Sequence, residues 1–191
     1  SFIVGRDTDK LSEAEIIRAT VETVAENTAD GVISPLFYIF LGGPALGMAY
    51  KAVNTLDSMA GYLNEDYKDL GWASAKLDDL ANWIPARISA VLILLAGGIW
   101  KKNIRQGYRI LKRDRRNHKS PNGGYPEAAM AGVLGVRIGG TNYYFGRPVV
   151  KPTIGDPLKP LEKGDIPASV KIMVTTACLS LIVFYVFLMI W

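Results

Sequence analysis

The last twenty residues, Ile172 to Trp191, read IMVTTACLSLIVFYVFLMIW and hold no charged group. At about 1.5 Å per residue, such a run crosses a hydrocarbon core roughly 30 Å thick and predicts a transmembrane helix. Lys171 marks one interface and Trp191 the other. Upstream, Lys101 to Lys119 carries nine Lys/Arg against the single Asp114. A basic stretch beside apolar segments predicts a cytoplasmic membrane flank rather than a nucleic-acid surface, and the last helix is expected to enter from the cytoplasm. The whole chain has 191 residues and a formal net charge of +4, a length of about one domain. Its segregated charge excludes an ordinary soluble globule. One His and one Cys leave no internal disulfide, and no zinc or haem site is expected. Cys178 reads as a small packing residue.

Two further apolar segments are weaker. Residues 31–50 carry no charge, but Pro35, Gly42, Gly43, Pro44 and Gly47 interrupt them, which disfavours one uniform spanning helix. Ile88 to Trp100 is thirteen residues, short of a span unless Trp83 to Ala86 joins it and Arg87 snorkels, giving a segment over 84–100. If both crossed fully, Lys51 to Trp83 would face away from the basic stretch. At least one is therefore expected to dip in and return. The fold class predicted is mainly α: a polytopic membrane protein with helical polar segments and a C-terminal transmembrane helix. Its parts are a membrane-associated catalytic region over 1–146, a Pro-rich linker over 147–171 and the transmembrane helix over 172–191.

Leu11 to Asp30 reads as a helix with Ser12 as N-cap, Glu15 completing a capping box and Gly31 closing it. Ile17, Val21, Val24, Ala25 and Thr28 form its apolar face. Glu15, Arg18, Glu22, Glu26 and Asp30 recur every three or four residues with Asn27 beside them, so carboxylates converge near the helix end. A solvated acidic face is the plain alternative. Asn54–Thr55–Leu56–Asp57 and Asp78–Asp79–Leu80–Ala81–Asn82 each place Asn and Asp on one helical face. Such oxygens suit Mg²⁺, which takes one or two carboxylates plus substrate phosphates; capping and turn formation account for each residue singly.

Ser120–Pro121–Asn122–Gly123–Gly124 precedes a helix over Glu127 to Leu134, with Pro126 in its first turn. Backbone N–H groups there offer an anion site, although no Gly-Lys-Ser/Thr follows, and a structural turn is the rival reading. His118 reads as a basic-patch or solvent residue. Gly139 to Gly146 and Arg147 to Pro167, with Pro148, Pro152, Pro157, Pro160 and Pro167, read as irregular surface chain. Ser1 to Lys10 shows no basic n-region or apolar h-region, and the opening reads as that of a fragment or processed product.

Several strings occur in a distinctive order: Thr20–Val21–Glu22 through Ala25–Glu26–Asn27–Thr28–Ala29–Asp30–Gly31, Ser34–Pro35–Leu36–Phe37–Tyr38, Tyr50–Lys51–Ala52–Val53–Asn54–Thr55–Leu56–Asp57–Ser58–Met59, Gly71–Trp72–Ala73–Ser74–Ala75–Lys76–Leu77–Asp78–Asp79, and Ser120–Pro121–Asn122–Gly123–Gly124. Over Arg6 to Gly146 the chain closely resembles the adenosylcobinamide-phosphate synthase (cobalamin biosynthesis CobD/CbiB) family. The resemblance implies a multi-pass protein of the inner cell membrane with its polar loops facing the cytoplasm. It implies a corrinoid substrate, adenosylcobyric acid, joined by an ATP-driven amide bond to aminopropanol or its phosphate. Family members ordinarily carry membrane segments ahead of the part equivalent to Phe2–Thr8, which makes this chain N-terminally short.

Under that reading Glu22, Glu26, Asp57 and Asp78 are the candidate catalytic acids, and Glu26, Asp30, Asp57, Asp78 and Asp79 the candidate Mg²⁺ ligands. Arg6, Asn27, Lys51, Asn54, Asn82, Arg87, Ser120, Asn122 and Gly123 are candidates for holding phosphate, carboxylate or corrin amides. ATP and Mg²⁺ are the expected co-substrate and metal. The lipid bilayer is a partner, nucleic acid is not, and the oligomeric state stays open. Two rivals remain: another Mg²⁺-dependent membrane transferase, and a non-catalytic membrane signalling protein of the same fold.

Overall fold

The structure is a computed structural model that describes residues 11–60, 68–144 and 147–190. Helix α1 (Glu13–Asn27) begins with the expected capping box: Glu15 N–H donates to Ser12 Oγ at 3.4 Å, and Ser12 N–H to Glu15 Oε2 at 2.8 Å. Its buried side carries Ile17, Val21 and Ala25 as the period requires. The expected stop at Gly31 is corrected. A π-helical turn over Thr28–Ile33 carries the chain directly into α2 (Ser34–Ala60). Gly31 never enters the left-handed region that would cap the helix. Meanwhile Thr28, Ala29 and Ile33 are buried and favour continuation, and Thr28 Oγ1 donates to the Val24 carbonyl at 2.7 Å.

Although residues 13–59 meet the length and hydropathy of a span, α2 is not one rod. Its path breaks at Gly42 (φ −149°, ψ 25°) and Gly43 (φ 68°, ψ −168°), and Pro44 opens the second arm. The rings of Tyr38 and Tyr50 stack with centroids 5.1 Å apart. In a straight helix those residues would be about 18 Å apart. The segment thus folds back on itself as a helical hairpin instead of running as one uniform spanning helix. Its first arm, Ser34 to Leu41, rises only about 12 Å, too little to cross a bilayer.

Helices α3 (Lys68–Ala81) and α4 (Trp83–Ile99) meet at Asn82 with a bend of 49°. Trp83 to Ala86 do join the apolar segment, and the Arg87 guanidinium lies 4.3 Å from the Trp83 ring centroid and 4.4 Å from that of Tyr125. Helix α5 (Ile104–Asp114) turns Ile110 and Leu111 inward and its cations outward. At the centre lies α6 (Gly124–Leu134), buried from Pro126 to Leu134 against α4 and α5.

A second correction concerns residues 138–154. They form an antiparallel ribbon of β1 (Ile138–Tyr144) and β2 (Arg147–Ile154) rather than irregular chain. A two-stranded ribbon has no inner strand, so Pro148 and Pro152 can turn their missing N–H outward. Among the described residues of this stretch, irregular chain runs over 155–164, and Pro167 sits in the first turn of α7 (Asp165–Ile190). That last helix starts seven residues before the apolar run, fastened by Lys159 Nζ on Asp165 Oδ2 at 2.7 Å. Cys178 is exposed on it, not packed. Phe40 reaches α7 through Phe184 (5.1 Å) and Phe187 (5.7 Å), so the hairpin runs alongside the apolar end of this helix. The architecture is that of a mainly α membrane protein.

Two measurements check these contacts. Gly43 occupies a backbone region open essentially to glycine alone, with free space around the missing Cβ. Gly43→Ala should lower stability by about 1–3 kcal/mol in a detergent melt, from backbone strain without a clash. Asp114 is buried, which pushes its carboxyl pKa up. Arg113 (2.6 and 2.8 Å) and the Gly155 N–H (2.8 Å) outweigh burial and hold it below the ordinary range. A depressed folded pKa stabilises above the unfolded value of about 4, and that contribution is lost as pH falls through the folded value. Asp114→Asn should therefore cost about 2 kcal/mol at neutral pH, and much less in melts well below pH ~4.

Candidate active site

At the α3–α4 bend Asn82 is almost fully enclosed, 1% exposed, and a carboxamide there must find its partners inside the protein. Its Oδ1 accepts from Ser34 Oγ at 2.6 Å and lies 2.9 Å from Tyr50 Oη, while its Nδ2 donates to Asp78 Oδ2 at 3.0 Å. The Tyr50 hydroxyl is also 3.0 Å from the Asp30 carbonyl. Asp78 Oδ1 accepts from Asn54 Nδ2 at 3.2 Å, and Asn54 Oδ1 from Lys51 Nζ at 3.0 Å. One chain of hydrogen bonds thus joins the root of the hairpin, its returning arm and the end of α3.

Carboxylates gather around that chain. The charges of Glu26, Asp78, Asp57 and Lys51 all act on Asp30, and those of Asp78 and Asp79 act on Asp57. Asp79 accepts a hydrogen bond from the Ser120 side chain, and its backbone carbonyl accepts from Asn122 Nδ2 at 2.7 Å. Asn122 Oδ1 accepts in turn from Arg87 Nη1 at 3.3 Å. Glu26, Asp30, Asp57, Asp78 and Asp79 therefore share one electrostatic neighbourhood with Asn54, Asn82, Lys51, Arg87, Ser120 and Asn122. Lys76 adds a third cation, acting on Asp79.

Two further candidates make contacts of their own. Glu22 is buried, and its Oε1 accepts from the Gly139 N–H at 2.7 Å with Arg18 Nε 3.9 Å away, so it anchors β1. Asn27 is exposed and donates to the Thr23 carbonyl of its own helix. Arg6 lies outside the described residues.

His118 corrects the solvent reading. Its side chain is only 11% exposed, and its Nε2 lies 3.8 Å from Glu127 Oε1. Burial, with Lys151 adding to it, holds the imidazole below its usual pKa against the pull of Glu26, Ser120 and Glu22. The ring accepts at Nδ1 from the Ser120 N–H at 3.0 Å. Gly123 packs so tightly on this ring that a Cβ would come within 2.7 Å of it. The loop over 120–124 is therefore wound on His118, and Ser120 Oγ accepts from the N–H groups of Asn122 (3.2 Å) and Gly123 (3.4 Å).

Ser34, Tyr50 and His118 were missed. A faint signal existed for the first two, since polar side chains inside an uncharged apolar run need partners. Among the described residues no three His, Cys or acidic side chains form a group able to hold a metal unaided. The donor set is oxygen-only carboxylates and amides brought together without a closed cage. That fits Mg²⁺, which completes its shell with water and substrate phosphate.

The model of the family described as CobD/Cbib protein matches residues 1–173. A "Cobalamin biosynthesis protein CobD" of Geobacter metallireducens is 60% identical over 94% of this chain and 56% of its own length. One of Clostridium tetani is 56% identical over 96% of the chain and 58% of its own length, and a "Cobalamin biosynthesis protein CbiB" of Salmonella typhi is 52% identical over the same shares. The chain thus spans less than two thirds of these curated relatives. No solved structure matches it. The strings that build the acid and amide cluster lie within the matched region, and the chain belongs to the CobD/CbiB family of cobalamin biosynthesis proteins.

Proposed function

We propose that the chain carries the acid and amide site of an ATP-dependent, amide-forming ligase of cobalamin biosynthesis, joining adenosylcobyric acid to aminopropanol or its phosphate. The observation that supports this reading is the meeting of Asp30, Asp57, Asp78 and Asp79 with Asn54, Asn82 and the 120–124 loop. Carboxylates that repel one another are costly to hold together without a cation in working use.

The chemistry gives each group a task. A carboxylate resists amine attack until phosphoryl transfer from ATP turns its oxygen into a leaving group. The amine then attacks the acyl carbon, the phosphate leaves, and a carboxylate of the cluster takes the amine proton. One or two carboxylates drawn from Asp57, Asp78, Asp79, Glu26 and Asp30 would hold Mg²⁺ together with substrate phosphate, and the ion would supply charge neutralisation at the transferring phosphoryl oxygens. At the start of α6 the N–H groups of Asn122 and Gly123 are taken by Ser120 Oγ, so the loop over 120–124 serves the cluster through Ser120 and Asn122 against Asp79 rather than through a free helix terminus. Arg87, stiffened by two aromatic rings, supports Asn122 rather than reaching outward. Glu22 is a positioning residue that ties β1 to α1. Placement in the inner cell membrane with the cluster facing the cytoplasm, where ATP is available, belongs to the same proposal.

The test uses the full-length protein in membranes with ATP, Mg²⁺, adenosylcobyric acid and aminopropanol phosphate, reading the corrinoid amide by mass spectrometry. Glu26→Ala, Asp57→Ala and Asp78→Ala should each cut turnover by about a hundredfold or more at unchanged protein level. Glu22→Gln should instead lower the melting temperature. Undiminished product in all three alanine variants would reject the site.

A further inference from the structure

Helix α5 presents a surface that the site does not use. Arg105, Arg109 and Lys112 recur at helical spacing on its outward side, all exposed, with no ion-pair partner among the described residues. The acids near this helix are engaged: Asp114 and Asp156 are both held by Arg113, and Asp156 Oδ2 also accepts from Gln106 Nε2 at 3.2 Å. Along one edge of the cations lie Ile104 and Tyr108, one turn apart and 43% and 59% exposed. The cations, Tyr108 and neighbouring polar residues line an open groove of about 470 Å³.

The surface continues onto the membrane helix. Trp100 precedes Ile104 by four residues and is 46% exposed. Its indole N–H donates to Thr175 Oγ1 of α7 at 2.9 Å, and Lys171 Nζ stands 5.4 Å from its ring centroid. Thr175 and Lys171 sit where the apolar run of α7 begins. Hence the basic groove and its aromatic edge adjoin the helix that enters lipid.

We propose that the outward face of α5, with Trp100, docks anionic phospholipid headgroups. Three features select lipid over a soluble polyphosphate. The cations are strung over about 10 Å of helix instead of converging on one point. Exposed Ile104, Tyr108 and Trp100 flank them along one edge, which hydrated phosphate would not require and the headgroup boundary does. And the groove carries no carboxylate, so an anionic leaflet attracts every charge on it.

The test takes the full-length protein in nanodiscs, with Tyr108→Cys carrying an environment-sensitive fluorophore in a background without other cysteines. Discs of phosphatidylglycerol with phosphatidylcholine should blue-shift the emission relative to phosphatidylcholine alone. The shift should vanish at about 0.5 M salt, and in the triple variant Arg105→Gln, Arg109→Gln, Lys112→Gln, whose melting temperature is read alongside to show that it folds. Identical emission in the two disc types overturns the proposal. So does full displacement of the phosphatidylglycerol response by inorganic pyrophosphate, which would assign the groove to a soluble polyanion. Neither result depends on ligase turnover, so this inference and the proposed reaction fail separately.

Discussion

The enclosure of one carboxamide organises this molecule. Asn82 stands where two helices bend, cut off from water, and an amide so placed costs about 1–3 kcal/mol for each polar atom left without a partner. Its three hydrogen-bond partners come from the hairpin root, the returning arm and the end of α3. They form only if the α2 hairpin is closed and α3 arrives in register. Satisfying Asn82 therefore sets the distance between Asp30, Asn54 and Asp78. The same contacts that lower the energy of the fold assemble the acids.

The hairpin makes this possible in a membrane setting. An irregular reversal exposed to lipid would leave backbone groups unpaired, yet here the break is confined to Gly42 and Gly43 between helical arms. Exposed Ile39, Leu41, Leu46 and Met48 surround that tip, and Phe40 stacks on α7. Polar groups collect at the opposite end, where Tyr50, Ser34 and Asp30 meet. Apolar tip and polar root are separated by little more than the two turns of the first arm. A site can then lie beside apolar helices without its charges entering the hydrocarbon.

Much of this was legible in the sequence because it rests on local rules. The charge-free run at 172–190 and the Ser12–Glu15 capping box follow from composition and short spacing, and the glycines and prolines of 31–50 argued against a plain span. What escaped depends on tertiary context. The prolines of 148 and 152 argued against strand, since nothing local says that the ribbon has only two strands. Gly31 looked like a stop because a π turn depends on the buried neighbours of Thr28, Ala29 and Ile33, which periodicity does not show. His118 looked solvated among lysines and arginines, although the loop that follows wraps around it. The acid and amide residues were individually visible, whereas Tyr50 and Ser34, which hold them in place, lay inside a run read as apolar.

Glu22 shows how spacing alone misleads about a role. It lies four residues before Glu26 on the same helix, and periodicity groups the two as one acidic face. The two differ in their surroundings although both act on His118: Glu22 is buried and accepts from the Gly139 N–H of β1, while Glu26 is exposed beside Asp30. A buried carboxylate that satisfies a backbone donor is committed to that donor, because releasing it would leave two polar groups unpaired out of water. An exposed carboxylate among like charges has the opposite tendency: every cation that approaches lowers its energy. Identical side chains one turn apart thus divide into one that stabilises the fold and one available to a ligand, and the strand pairing far along the chain decides which is which.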